Sequence, residues 1–196
     1  MREKRISTPI SREDVRALRC GETVLLSGVI YTARDAAHMR LLEAIKQGEP
    51  LPFQIENAIV YYVGPTPPMP GRVIGSAGPT TSGRMDVYTP ELIAKGLTAM
   101  IGKGERSSEV VAAMREHGAV YFGAIGGAGA LIARCVESSE VVAYEDLGAE
   151  AIRRLTVKEM PLTVVIDCEG NDLYKQGRAD YLKNVGTVAP DRPQVR

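Results

Sequence analysis

Between residues 23 and 127, four short β-rich apolar runs alternate with segments whose apolar residues recur at helical spacing. That alternation limits the fold more than any other feature of the chain. The runs are TVLLSGVIYTA (23–33), AIVYYVG (58–64), LTAMIG (97–102) and AVYFGAIGG (119–127). Between the first two lies RDAAHMRLLEAIKQG, with Ala37, Leu41, Leu42 and Ile45 on one helical face, opened by Thr32 and Asp35 as an S/T-x-x-acid start. Thr89-Pro90-Glu91 opens a second helix, with proline at its first position. Ser107 opens a third over SSEVVAAMREHG. Strands alternating with helices predict an α/β fold.

The flanks add elements of another kind. Ser11 and Gly21 bracket a short helix, GALIARCV reads as helical, and RLTVKEM and PLTVVIDCEGN read as two further strands before a helix in DLYKQGRADYLKNV. The expectation is therefore a mixed sheet. PTPPMPG (65–71) holds four of the 12 prolines and reads as a stiff surface connection, not a domain boundary. With 196 residues, a single domain over 1–196 is expected, with a loose tail from about residue 186.

Charge narrows the function classes. Lys plus Arg and Asp plus Glu both number 24, so no bulk field draws the chain to nucleic acid or to an anionic membrane. No apolar run reaches the ~20 residues of a membrane span, and a cytoplasmic location is expected. Cys20, Cys135 and Cys168 lie far apart without a C-x-x-C pair, so they read as small buried hydrophobes, and no metal is assigned to this chain. Any anion recognition has to be local.

GPTTSGRMD (78–86) is the strongest local candidate. It fits G-x-x-x-x-G, but Arg84 stands where a phosphate loop has lysine, and Met85 where it has the magnesium-binding hydroxyl. Nucleotide hydrolysis is a poor reading. A plain Ser/Thr turn needs no arginine, whereas a guanidinium fork matches a carboxylate, and successive N–H groups at a helix start would add to the anion site. In ARDAAHMR (33–40), Arg34 falls in the first helical turn, the wrong end of the dipole for a cation unless it faces an anion. His38 lies one turn later on the same face, where the two side chains can meet; a plain helix-surface histidine is the competing reading. In IGKGERS (101–107), Lys103 ends a strand between Gly102 and Gly104, leaving room for close approach. Three cations, each beside a turn or helix start, suit a dicarboxylate. The glycines of GAIGGAGA (123–130) miss the dinucleotide phase and fit close packing, within the chain or against a partner.

ARDAAH, GPTTSGRMD, IGKG, YFGAIGGAGALIA and EDLGAEAI together, over about residues 5–175, closely resemble the C-terminal domain of class I, iron–sulfur-dependent fumarases. In many bacteria and archaea that domain is a separate β subunit. The resemblance implies a swivelling β/β/α domain and the reversible hydration of fumarate to L-malate. It also implies a [4Fe–4S] cluster held by a partner, the fumarase α subunit, in a hetero-oligomer that can include a β–β dimer. It further implies that Arg34, Arg84 and Lys103 bind the substrate's carboxylates, and that Thr80 moves the proton, with Thr81 as the alternative. His38 would stand behind them. The β subunit of L(+)-tartrate dehydratase shares the Gly-Pro-Thr-Thr signature and is the alternative within the family. From another class, a non-catalytic anion-binding module is the third reading.

Overall fold

The computed structural model describes residues 3–185. In chain order the elements are β1 (Lys4–Ser7), α1 (Arg12–Ala17), β2 (Thr23–Thr32), α2 (Asp35–Gln47), β3 (Ile59–Tyr61), a 3-10 turn (Ser82–Met85), α3 (Thr89–Ala94) and β4 (Ala99–Gly102). There follow α4 (Ser108–His117), β5 (Val120–Gly123), α5 (Gly129–Ala133), β6 (Val136–Ala143), a second 3-10 segment (Glu145–Glu150), β7 (Ile152–Ile166) and α6 (Leu173–Val185).

Among the described residues the strands form one seven-stranded mixed sheet. Strands β2, β3, β4 and β5 are neighbours and mutually parallel, linked by α2, α3 and α4. β7 runs antiparallel to β2, β5 and β6. Because β7 joins both β5 and β2, the ladder closes into a circuit through β2, β3, β4, β5 and β7.

The central strands are buried on both faces, as parallel strands beneath crossover helices are. Ile59, Tyr61, Ala99, Ile101, Val120 and Phe122 pack in one cluster with Leu26 and Ile30 of β2 and Leu155 and Val164 of β7. The alternate residues Val60, Met100 and Tyr121 point the other way. They meet Leu41 of α2, Leu92 of α3 and Met114 of α4 in a second cluster. Strand on strand with helices outside gives the α/β mixed-sheet architecture.

Several boundaries differ from the sequence expectation, each for a physical reason. RLTVKEM and PLTVVIDCEGN are one strand, β7. Pro161 interrupts the pattern but not the ladder: β6 pairs β7 as far as Val157 and β5 begins at Thr163. Pro161, opposite Leu25 of β2, lies in the stretch with one bare edge, where a missing N–H is tolerated. GALIARCV divides, α5 stopping at Ala133 and β6 starting at Val136. The Ser- and Glu-containing VESSEVVA carries little strand signal because β6 is the sheet's edge. Thr32 does not cap α2; its hydroxyl donates to Ala151 O and accepts from Arg153 N, tying β2 to β7. The helix begins at Asp35, with Arg34 as its N-cap instead of a first-turn residue. The C-terminal tail expectation lies outside the described residues.

Candidate active site

Parallel strands deliver their following loops to one end of a sheet, and that end is where α/β folds place ligands. Here Arg34 follows β2, Gly64 follows β3, Lys103 follows β4 and Gly126 follows β5. The GPTTSGRMD stretch belongs to the long connection from β3 to α3 and folds back over the same end.

This stretch is fastened to two strands at once. Thr80 N–H donates to Tyr62 O (2.8 Å) and Ser82 N–H to Lys103 O (2.9 Å). Thr81 pairs with Lys103 in an isolated parallel bridge, and Lys103 N–H returns a bond to Ser82 Oγ (3.1 Å). The expected backbone anion nest is therefore not formed by Thr80 and Ser82, whose N–H groups are spent on the fold. The room at Gly102 is also used internally: an added Cβ would lie 1.9 Å from Ser82 Oγ. Gly102 thus serves the approach of Ser82 to the strand, not that of a ligand. Tyr121 completes the junction, its hydroxyl meeting Ser82 Oγ (2.8 Å) and donating to Gly104 O (3.0 Å).

The far end of GPTTSGRMD points inward. Asp86 accepts from Arg106 Nε (2.7 Å) and from Ser107 N–H (2.6 Å) at the start of α4. The Arg106 side chain is fully buried, with the rings of Tyr62 and Tyr121 at 5.3 and 5.0 Å from its guanidinium carbon. Its remaining bonds run to Thr89 Oγ1 and the Tyr62 hydroxyl.

Arg84 points outward, its side chain about half exposed at 47%. Its Nη2 donates to Asp35 Oδ2 (2.8 Å) and to Thr80 Oγ1 (3.0 Å). Asp35 Oδ2 also lies 3.7 Å from Arg34 Nη2, so one carboxylate bridges both guanidinium groups. On its other side Arg34 faces Glu150 (3.4 Å), which also accepts the Ala36 N–H at the start of α2. Glu150 thus supplies the side-chain cap that Arg34 does not make. Gly64 lets Arg34 lie across the strand end, since an added Cβ there would come within 2.7 Å of Nη1.

Arg34, Thr80 and Arg84 thereby form one contact group through Asp35. Lys103 joins it through its backbone, and its exposed side chain runs past Gly126, whose added Cβ would lie 3.8 Å from Lys103 Cδ. Thr81 is exposed and turns its methyl toward Gly104. His38 is fully buried. It meets Arg34 not at the guanidinium, as same-face spacing suggested, but at the carbonyl, 2.9 Å from Nδ1. Burial lowers its pKa to about 4, so the ring is neutral near pH 7. Of the GAIGGAGA glycines, Gly123 and Gly129 serve close packing, an added Cβ falling 2.6 Å from Val165 Cγ2 and 2.4 Å from Ser76 Oγ, whereas Gly127 has open space and takes a positive φ of 83°.

Sequence reasoning missed Asp35 as a partner of Arg84, having read it as a capping acid, and missed Glu150 and Arg106 altogether. The acid beside Arg34 in ARDAAH was a usable signal for Asp35. Glu150, 114 residues from its partner in α2, left none.

Comparison with known proteins identifies the family. The family described as Fumarase C-terminus matches residues 1–177. The chain is 42% identical over 153 residues to the aerobic class I fumarate hydratase of Escherichia coli (strain K12), covering 77% of this chain and 28% of that protein. It is 36% identical over 167 residues to fumarate hydratase 2 of Leishmania major, covering 84% of this chain and 29% of that one. It thus spans less than a third of either protein. With the Methanocaldococcus jannaschii protein named "Putative L(+)-tartrate dehydratase subunit beta" it shares 38% identity over 173 residues, 85% of this chain and 89% of the relative. Matched over residues 1–177 by that family, the chain belongs to the fumarase C-terminal family.

Proposed function

We propose that this chain is the β subunit of a class I fumarate hydratase, hydrating fumarate reversibly to L-malate in a site shared with an α subunit. The observation that carries the reading is the bridge by which Asp35 gathers Arg34 and Arg84 beside Thr80. A carboxylate already held between two guanidinium groups marks where a substrate carboxylate binds. Arg34 and Arg84 take one end of the diacid, and Lys103, at the end of β4, takes the other. Cations from three loops fix the substrate's orientation, and orientation alone lowers a barrier substantially.

Thr80 carries the proton. A free threonine hydroxyl is a poor base, but the Arg84 guanidinium donates directly to Thr80 Oγ1. That charge-assisted bond favours negative charge on the oxygen and leaves the hydroxyl hydrogen free to move. Thr81 remains the alternative, and neutral His38 steadies the Arg34 carbonyl from behind.

The iron–sulfur cluster of class I fumarate hydratases does not fit this chain. Among the described residues no three His, Cys, Asp or Glu side chains are placed to hold a metal. Burial also raises all three thiols, Cys20 to about 11, with Asp167 adding to the effect at Cys20 and Cys168. Cluster ligation requires thiolates, which such surroundings oppose. We therefore assign the [4Fe–4S] cluster to the α subunit, where it would supply Lewis acidity toward the substrate hydroxyl. The assembly is a cytoplasmic hetero-oligomer, and among the described residues no helix is long and apolar enough to cross a membrane.

One observation favours a second reading. The Methanocaldococcus jannaschii relative has nearly the span of this chain, so a tartrate dehydratase β role fits the same geometry. The test is co-expression with the cluster-bearing partner and an anaerobic assay of fumarate, L-malate and L(+)-tartrate. Fumarate turnover that falls by about a thousandfold in Thr80→Val, with folding intact, is the expected result. Turnover of tartrate alone selects the second reading. Turnover of none of the three, in a complex with its cluster intact, leaves an anion-binding module.

A further inference from the structure

Counting donors on Arg84 exposes a conflict. Nη2 carries two hydrogens, and Asp35 Oδ2 and Thr80 Oγ1 accept from them at 2.8 and 3.0 Å. A carboxylate gripping a guanidinium at two points uses Nη2 with either Nη1 or Nε, because both edges of the fork share that nitrogen. An incoming carboxylate therefore cannot take the fork until one occupant leaves. Thr80 is tethered through its backbone to Tyr62 O. Asp35 is held only as the first residue of α2, with its side chain 36% exposed. It is also the group that reaches toward Arg34, so it fills the position that a substrate carboxylate needs.

We infer that Asp35 is a built-in counter-anion that an entering carboxylate displaces, so that it sets how tightly the site binds any carboxylate, while Lys103 sets the preference for a diacid. The inference rests on reading the Arg34–Arg84 pair as a carboxylate site. A monocarboxylate exchanges one carboxylate for another at Arg84 and gains little. A dicarboxylate makes the same exchange and brings a second carboxylate to Lys103. The displaced Asp35 keeps a favourable place, since an acid in the first turn of a helix is stabilised by the helix dipole. Asp35 thereby also keeps two close guanidinium groups from collecting stray anions while the site is empty.

The test is calorimetric titration of the assembled complex with succinate and with propionate, without oxygen and at low, fixed ionic strength. The unaltered protein should prefer succinate by about tenfold or more. Asp35→Asn should bind both acids more tightly, each by about tenfold, with the preference for succinate unchanged. Asp35→Glu, which keeps the charge, should leave both affinities near those of the unaltered protein. If Asp35→Asn lowers Tm, Asp35→Ser removes the same charge with a residue suited to a helix start. Unchanged or weaker binding in the folded neutral variants overturns the inference, as does a failure of every variant to bind either acid. Hydratase assays of the assembled enzyme run in parallel: an inactive unaltered enzyme sinks the fumarase reading alone, because the titrations need no turnover.

Discussion

Arg84 and Arg106 are both arginines paired to aspartates, and both are tied to GPTTSGRMD, yet they occupy opposite environments. Arg84 is about half exposed, and its Nη2 is shared between Asp35 and Thr80. Arg106 has no exposed side-chain surface, and it lies against two tyrosine rings with Asp86, itself mostly buried, on its Nε. A guanidinium in water forms and breaks ion pairs at little cost, whereas one buried with its partner is costly to leave unpaired. One motif therefore holds an exchangeable pair at its middle and a fixed pair at its end. The fixed pair fastens the loop, and the exchangeable pair is the one proposed to meet the ligand.

Four substitutions bear on that contrast. Asp86→Ala strands a buried guanidinium and should cost about 3–5 kcal/mol of stability, read by denaturant unfolding. A loss below about 1 kcal/mol would erase the distinction between the pairs. His38 belongs to the buried side. Its folded pKa of about 4 lies below the ordinary value of 6.5, so the unfolded state binds the extra proton first. Stability should therefore fall as pH drops from 6.5 toward 4, by about 3 kcal/mol from this group, and His38→Asn should remove that component from a Tm-against-pH curve. Arg84→Lys should lower kcat/KM of the assembled enzyme about a hundredfold, because a point charge cannot reproduce the fork, while leaving Tm nearly unchanged. A large Tm loss would move Arg84 to the fixed class. Glu150→Gln weakens a partly exposed pair with Arg34 and should cost about 1 kcal/mol or less, with KM rising modestly as Arg34 loosens.

The parts legible in the sequence were those with local causes. Ser11 and Ser107 cap α1 and α4 as their positions suggest, and the alternation of strand and helix gave the parallel core. The GPTTSGRMD stretch was marked by Arg84, a residue type that a turn does not need. What escaped was set by distant pairing. The continuity of β7 through Pro161 depends on where β6 stops and β5 begins. Thr32 looks like a helix cap until β7 supplies Ala151 O and Arg153 N–H. Gly102 and Gly104 looked like space for a ligand, but Ser82 fills the space at Gly102. Residue type revealed the cations; only the fold shows which carboxylates face Arg34 and Arg84.

The lacing of Thr80 to Tyr62 O and of Ser82 to Lys103 O has a mechanical consequence. A hinged flap would carry its hydroxyl toward a substrate and away again. This segment is bonded to the residues that directly follow β3 and β4, so the oxygen of Thr80 is tied to the ends of two sheet strands. Amide exchange at Thr80 and Ser82 should accordingly be as slow as at the middle of β4, and in the function proposed above the diacid would travel while the threonine stays still.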